Sequence, residues 1–329
     1  MRSEAAPSCG LKKSKPNPGD VPLTRMTLFW NQSERRLRAP WRLCLHALIT
    51  VSLACVPILL IAEPLTALHR RGWFLAAYGH DHYDRVINTM IGPLLTVAVV
   101  GGVAIAGRWL DHRPFSDFGA VIDRWWWKCL AVGFGVGMVV MTFVFFVERA
   151  AGWVTVTGFR VTNVADVSFA AGLLFIYTKV ICVGIYEEFV SRGYHLRNLT
   201  ESTNATLGVI LSTLIFSLLH AFNENVSVVS LVGLFINGLL LAAAVILTRR
   251  LSTAIGIHIA WNLFEGMVFG FPVSGDKEVV SWLGITQSGP RLVTGGEFGP
   301  EAGLIGSIAS LLGMGLLWLL FRGRRAAAK

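Results

Sequence analysis

Residues 227–247 read SVVSLVGLFINGLLLAAAVIL, an apolar run without a single charged side chain. A helix needs about 20 such residues to cross the hydrocarbon core of a bilayer. Because lipid offers no partners to backbone N–H and C=O groups, a run of this length must be helical where it spans. Further runs of the same kind occupy residues 41–62, 87–107, 127–147, 167–186, 205–222, 252–271 and 303–321. The sequence therefore predicts an all-α fold, a polytopic transmembrane helix bundle of about eight spans.

The composition agrees with a membrane protein and explains the positive charge without nucleic acid. Of the 329 residues, 53% are hydrophobic and 15% are charged, whereas soluble domains carry about 25% charged residues. If the N-terminus is cytoplasmic and eight spans follow, 21 of the 29 Lys and Arg residues lie on the cytoplasmic side and seven on the outer side. This asymmetry is the one that the positive-inside rule describes. We therefore expect a lipid bilayer as partner, no nucleic acid, and both termini in the cytoplasm.

The chain is predicted to form one membrane domain with two segments attached to it, an N-terminal tail and an outer loop. Residues 1–40 are polar, with lysines and prolines close together, and are predicted to be a disordered basic cytoplasmic tail. They do not fit a cleavable signal peptide, whose apolar stretch would begin earlier. The five cysteines, mostly within apolar runs, imply neither disulfides nor a Cys-based metal framework. The remaining divisions are N-terminal transmembrane helices at 41–166, a polar-bearing core at 167–271, a Gly-rich and Pro-rich outer loop at 272–302, and a last helix with a basic C-terminus at 303–329.

Ionisable side chains inside the predicted spans cluster in the core segment. Such residues are costly in a bilayer and usually functional. In a helix, Glu188 and Arg192 share a face, so the two can pair, while Glu187 points about 100° away toward a cavity. On these residues alone, a salt bridge at a helix end is an equal alternative. The whole set comprises Lys179, Glu187, Glu188, Arg192, His220, His258 and Glu265, with Asn237 and Asn262 as neutral companions.

Helix arithmetic predicts that these groups meet. His258 and Asn262 are four residues apart and share a face. If the helix of Glu187 runs on to about Leu199 and turns at residues 200–204, then Glu187 and His220 lie within roughly 3 Å of the same depth. We therefore expect a long fourth helix that protrudes into the cytoplasm, and a cavity that opens to the cytoplasmic half of the membrane.

One glutamate, two histidines and one asparagine in such a cavity could hydrolyse a carbonyl in two ways. A carboxylate and an imidazole can take a proton from water while a second imidazole and an amide stabilise an oxyanion. Alternatively, Glu187, His220 and His258 could ligate zinc, which lowers the pKa of a bound water. The HExxH motif of soluble zinc proteases is absent. The residues leave both chemistries open.

Three motifs in this order resemble a known family. Glu187-Glu188-x-x-x-Arg192, Phe216-x-x-x-His220 and His258-x-x-x-Asn262 are similar to the motifs of the CAAX protease and bacteriocin-processing (CPBP, or Abi) family, which includes the Ras-converting type of prenyl-protein endopeptidase. The resemblance covers about residues 180–265. It implies an intramembrane endopeptidase with its catalytic core in spans four to seven, acting on a membrane protein or peptide.

The resemblance also implies roles for the residues. Glu187 and His220 would activate water, His258 and Asn262 would stabilise the oxyanion, and Glu188 with Arg192 would order the site. We prefer the version without a cofactor, because a zinc site would leave Asn262 without a role; zinc, and hence a metalloprotease, is the alternative. Other functional classes are a non-catalytic scaffold or immunity protein and a proton-coupled transporter. The expected location is a bacterial inner or plasma membrane.

Overall fold

The structure is a computed structural model that describes residues 26–72, 79–159, 169–276 and 281–326. The chain divides into two compact units, Met1–Arg38 and Ala39–Lys329. In the first unit, helix α1 (Met26–Phe29) precedes a hairpin of β1 (Trp30–Asn31) and β2 (Arg36–Leu37). The end of the segment predicted to be a disordered tail is thus folded locally, while residues 1–25 lie outside the described residues.

The second unit begins with helices that pack through small residues. Gly102 faces Thr50 so closely that a Cβ would collide with it, and this contact lets the first two long helices approach each other. Asp123 caps the next helix by accepting a hydrogen bond from the Trp126 N–H at 2.7 Å. These helices are α2 (Ala39–Pro57), a π segment (Ile58–Ala62), α3 (Glu63–Arg70), α4 (Gly79–Trp109) and α5 (Arg124–Ala150).

The core segment holds four long helical stretches in sequence. The fourth predicted helix runs unbroken beyond Leu199, as the depth arithmetic required, although part of it is π-helical. Asn204 and Ser227 cap the next two helices with their side-chain oxygens. The elements are α6 (Phe169–Glu188), a π segment (Phe189–His195), α7 (Leu196–Ser202), α8 (Ala205–Leu219), α9 (Val228–Thr248), α10 (Leu251–Asn262) and a π segment (Leu263–Val268).

Helices α5 and α10 pack with their backbones in contact. A Cβ on Gly133 would meet the Thr253 carbonyl, and one on Gly137 would meet the Ile257 carbonyl. Gly256 likewise lies against the backbone of α5 at Leu130. Close backbone approach at small residues is typical of helix pairs in membranes. It holds the middle of α10, including the turn of His258, firmly against a neighbouring helix.

Where the structure describes it, the predicted outer loop contains a strand and several short helical turns. Strand β3 (Val154–Phe159) pairs antiparallel with β4 (Leu283–Gln287), with Val154 opposite Gln287. Helix α11 (Arg291–Thr294) and two 3₁₀ turns (Gly296–Phe298 and Pro300–Ala302) lead into α12 (Leu304–Ala326). The protein is thus mostly helical, as the prediction of an all-α fold expects, and two short two-stranded sheets, β1–β2 and β3–β4, are added to the helices.

Among the residues that the structure describes, five helical stretches are long and apolar enough to cross a membrane, which indicates an integral membrane protein. They are Ala39–Arg70, Thr89–Trp109, Arg124–Ala150, Val228–Thr248 and Leu304–Arg322. Ala205–Leu219 is apolar but shorter. All these stretches coincide with predicted spans, and the total of about eight remains a prediction.

Two ends of the second unit differ in chemistry. At the basic end, defined by residues 110–123, 196–204 and 249–250, ion pairs join the connections: Arg113 to Glu201 at 2.9 Å and Arg250 to Asp123 at 3.0 Å. The opposite end, called the hairpin end after the tight turn in which Val273 and Asp276 form an antiparallel bridge, comprises the described residues of 151–159, 220–227 and 269–303. There the Asn223 amide donates to the Ser274 carbonyl at 2.9 Å.

Candidate active site

Glu188 is the buried centre of the site. Its Oε1 accepts hydrogen bonds from Arg192 Nη1 at 2.9 Å and from His258 Nδ1 at 2.9 Å. The side chains of Glu188 and Arg192 are 0% and 2% exposed. A buried carboxylate is tolerated only when it is paired and hydrogen-bonded. The predicted pairing of Glu188 with Arg192 is therefore present, and it extends to the imidazole of His258.

Arg192 is itself held from three directions. Besides Glu188, its Nη2 donates to the Gly238 carbonyl in α9 at 3.2 Å. The guanidinium also lies over the Phe216 ring, 4.1 Å from the centroid, an attractive arrangement for a cation and an aromatic face. Phe216 of the second motif is thus the aromatic support for the arginine of the first motif.

Glu187 points into a cavity, away from Glu188, as the helical spacing predicts. Its Oε2 lies 3.9 Å from Nε2 of His220 and 3.9 Å from Nε2 of His258. These distances exceed those of a direct hydrogen bond, and they suit a small molecule such as water held between the groups. Both imidazoles thus face the same carboxylate oxygen of Glu187.

His220 has a defined tautomer because of its position at the end of α8. It is the C-terminal capping residue of that helix, and its Nδ1 lies 2.9 Å from the Phe216 carbonyl oxygen. A carbonyl can only accept, so Nδ1 carries the proton. Nε2, which faces Glu187, then has a free lone pair in the neutral imidazole.

The π segment starts directly after the two glutamates. Residues Phe189–His195 are π-helical over 7 residues, where the sequence predicts a regular α-helix. Insertions of this type occur mostly at functional sites. At Gly193, a Cβ would lie 2.8 Å from the Phe118 carbonyl, so the segment approaches a neighbouring backbone more closely than another residue would allow.

A cavity of about 660 Å³ contains the polar groups of all three motifs. Asn262, at the last position of α10, lies in its wall together with Glu187, His220 and His258. The far part of the wall is formed by residues of the hairpin end, among them Asn223, Glu224, Ser274 and Asp276. The sequence predicts that the cavity opens toward the end where the turn at residues 200–204 lies, whereas its described wall reaches residues at the opposite end of the bundle. The assignment of that turn to the cytoplasmic side stays a prediction.

Sequence reasoning missed a second polar group behind the histidines. A cavity of about 20 Å³, enough for about one water molecule, is lined by His220, His258, Asn237 and Glu301 among others. Glu301 is 4% exposed and accepts a 2.5 Å hydrogen bond from Ser274 Oγ. Burial raises the pKa of Glu301 above its usual value. Its position in a segment predicted as an outer loop offered no signal of proximity to the site.

Glu187, His220 and His258 are the predicted ligands of the alternative zinc site. Both imidazoles have Nδ1 hydrogen bonds of the kind that orients metal-ligating histidines. In the part of the chain that the structure describes, however, no group of three or more His, Cys, Asp or Glu side chains is disposed to hold a metal ion. As placed, these three side chains do not form a ligand set for a metal ion.

Comparison with known proteins supports the resemblance. Residues 169–264 match the family model described as type II CAAX prenyl endopeptidase Rce1-like. The matched segment includes all three motifs, from Glu187 to Asn262, and covers less than a third of the chain. No curated protein and no solved structure matches the chain. The predicted similarity to the CAAX protease family is thereby confirmed, and that family indicates a CAAX-type peptidase embedded in the membrane.

Proposed function

We propose that this protein is an intramembrane endopeptidase that hydrolyses a peptide bond of a membrane-associated protein or peptide. The observation that carries the proposal is the convergence of Glu187 Oε2 on Nε2 of His220 and of His258, each at 3.9 Å, in the wall of a 660 Å³ cavity. A proton acceptor pair beside a space large enough for a peptide segment is what general base hydrolysis requires.

Glu187 and His220 are proposed to activate the attacking water. The water lies between Glu187 Oε2 and His220 Nε2, and the pair accepts its proton as its oxygen bonds to the carbonyl carbon. When the tetrahedral intermediate collapses, the C–N bond breaks and the same proton passes to the leaving nitrogen. The products are a carboxylic acid and an amine, and the catalytic groups return to their starting states.

His258 and Asn262 are proposed to stabilise the oxyanion. Because Nδ1 of His258 donates to Glu188, its Nε2 can donate a hydrogen bond only when the ring is the doubly protonated imidazolium. Two carboxylates, Glu187 and Glu188, face this ring and favour that form. The Asn262 amide supplies a second, neutral donor from one turn further along α10.

Glu188 and Arg192 are proposed as positioning residues. Glu188 holds the imidazole of His258, and Arg192 donates a hydrogen bond to the same buried carboxylate oxygen and pairs with its charge. The geometry favours the version without a cofactor. Turnover that survives exhaustive chelation, with no zinc in the purified protein, is the expected result, and loss of turnover restored by zinc alone would overturn this version.

The proposed activity can be tested by mapping the termini of membrane proteins in cells that carry the wild-type protein or Glu187→Gln. The expected result is a set of new termini that depend on Glu187. Purified protein should then cleave the corresponding peptides, with turnover reduced by about 10²–10⁴-fold in the variant. Glu201→Gln, which changes a glutamate at the basic end, serves as the matched control and should retain the termini. Identical termini in all strains would contradict a proteolytic function and favour a scaffold.

A further inference from the structure

A small cavity adjoins the catalytic groups. Its volume is about 20 Å³, which is enough for about one water molecule. His220, His258 and Asn262 line both this cavity and the main one, so the two cavities share groups that are proposed to act on the substrate. Asn237 of α9 and Glu301, which precedes α12, also belong to the wall of the small cavity.

Glu301 is held in this wall by close contacts of its own segment. A Cβ on Gly233 would meet the Glu301 carbonyl oxygen, so the turn that carries Glu301 packs against α9 about one helical turn before Asn237. The Glu301 residue is 4% exposed, and its Oε1 accepts a hydrogen bond from Ser274 Oγ at 2.5 Å. Because a carboxylate can accept several hydrogen bonds, Glu301 can also accept one from a water in the small cavity.

Two side-chain amides in the same wall lack protein partners. Asn237 is 8% exposed, and within the part of the chain that the structure describes, neither its amide nor that of Asn262 forms a hydrogen bond with another protein group. A buried amide is costly unless it is hydrogen-bonded. Two amides and a carboxylate around a space for one water are the set of partners that a buried water needs.

The orientation of the Asn262 amide decides what it can do. It can stabilise an oxyanion only when its NH₂ group, and not its carbonyl oxygen, faces the main cavity. A water in the small cavity can accept a hydrogen bond from the Asn237 amide and donate its two protons to the Glu301 carboxylate and to Asn262 Oδ1. With Oδ1 held in this way, the NH₂ group of Asn262 is turned toward the main cavity.

We propose that Asn237 and Glu301 are positioning residues that hold one water molecule in the small cavity and, through it, orient the Asn262 amide toward the oxyanion. This inference rests on the proposed function, because it adds support for a group to which that function assigns oxyanion stabilisation. In the described part of the chain, neither Asn237 nor Glu301 lines the main cavity. Both residues therefore act through Asn262 and not on the substrate.

A kinetic double-mutant cycle tests the positioning role. Asn237→Leu should lower kcat for the mapped peptide about 10-fold and leave KM nearly unchanged, because a hydrogen bond made in the transition state is weakened. In an Asn262→Ala background, Asn237→Leu should cause no further loss, since the amide that it orients is gone. The same 10-fold loss in both backgrounds would overturn the positioning role.

A conservative variant and a matched control complete the kinetic test. Glu301→Gln can still accept from Ser274 and donate to the water, so its kcat should stay within about threefold of the wild type, whereas Glu301→Leu should behave like Asn237→Leu. Equal losses in Glu301→Gln and Glu301→Leu would contradict the role of the water. Asn198→Leu changes a buried asparagine outside both cavities and should keep the kcat of the wild type per folded molecule.

Thermal unfolding of the full-length protein in detergent tests the shared water without any activity. Asn237→Leu and Glu301→Leu should each lower the Tm, and the double variant should lower it by less than the sum of the two shifts, because both changes remove the same link. Additive shifts would refute the shared water. If no termini depend on Glu187, the proposed function fails, and the unfolding data still decide whether Asn237 and Glu301 are coupled.

Discussion

Two buried arginine–carboxylate pairs occupy different regions of this molecule. Arg192 pairs with Glu188 in the core segment, and Arg42 of α2 pairs with Asp111 in the connection after α4. The side chains of both pairs are no more than 2% exposed. Their surroundings differ. Glu188 also holds the imidazole of His258 at the wall of the cavity, whereas Arg42 and Asp111 do not line it.

The comparison of the two pairs shows that a buried ion pair does not by itself identify an active site. Near Arg42, the His46 ring stacks on Tyr194 with centroids 4.1 Å apart, and it meets His195 edge-on. That region ties α2 to the π segment and has a structural role. Glu188 differs because one carboxylate oxygen serves both a charge partner and a histidine that faces open space.

Removing the arginine of the core pair should have the largest effect. Arg192→Met leaves the Glu188 carboxylate buried without its charge partner, which costs about 3–5 kcal/mol of stability. Turnover of the mapped peptide should be lost as well, because His258 loses its anchored acceptor. Thermal unfolding in detergent and peptide cleavage measure the two effects. Full turnover in folded Arg192→Met would contradict the positioning role proposed for Arg192.

Removing the arginine of the structural pair should affect stability alone. Arg42→Met leaves Asp111 without its salt bridge, again at a cost of about 3–5 kcal/mol. Turnover per folded molecule should stay close to that of the wild type, since Arg42 contributes nothing to the cavity wall. The comparison fails if Arg42→Met lowers turnover as strongly as Arg192→Met at a temperature where both are folded.

Replacing both members of each pair should sharpen the contrast. A buried ion pair can be exchanged for apolar residues of similar volume with little loss, or with a gain of about 1–4 kcal/mol. Arg42→Met with Asp111→Leu should therefore regain stability and keep turnover. Arg192→Met with Glu188→Leu should regain stability but stay inactive. Recovery of turnover in the second double variant would show that His258 needs no acceptor.

A third pair, Arg250 with Asp123, lies at the surface and should give the smallest effect. The hydrogen bond from the Trp126 N–H, followed by Arg250, holds the pKa of Asp123 below its usual value. Asp123 therefore stabilises the fold at pH values above that usual value, and the contribution is lost as the pH falls through the lowered pKa. Unfolding curves of Asp123→Asn should converge with those of the wild type in acid. A constant gap at all pH values would contradict this assignment.

The sequence predicted the helices and the faces they share, with limits. The pairing of Glu188 with Arg192, and the meeting of Glu187 with His220 at one depth, both follow from regular spacing along a helix. The π segment after Glu188 could not be predicted from the spacing of residues, and within it Gly193 packs closely against the Phe118 carbonyl. That contact joins parts of the chain far apart in sequence, and local periodicity carries no information about it.

The position of the cavity within the bundle is a second feature that the sequence could not predict. Depth along a helix can be counted from the sequence, and the count correctly predicted that Glu187 and His220 lie close together. Which end of the bundle the cavity reaches depends on contacts between separate segments, and here Asn223 and Ser274, joined by a hydrogen bond, both lie in its wall. Glu301 illustrates a further limit, since its approach to the histidines follows from the return of a distant segment.

By itself, the sequence determined a polytopic helical membrane protein and the residues of three motifs, because apolar length and helical spacing are local properties of the chain. The contacts of the tertiary structure decided that His220 presents Nε2 to Glu187, that Glu188 serves Arg192 and His258 together, and that distant segments holding Asn223 and Ser274 form part of the cavity wall. Those features arise from contacts between separate helices, where packing and the need to satisfy buried polar groups select one arrangement.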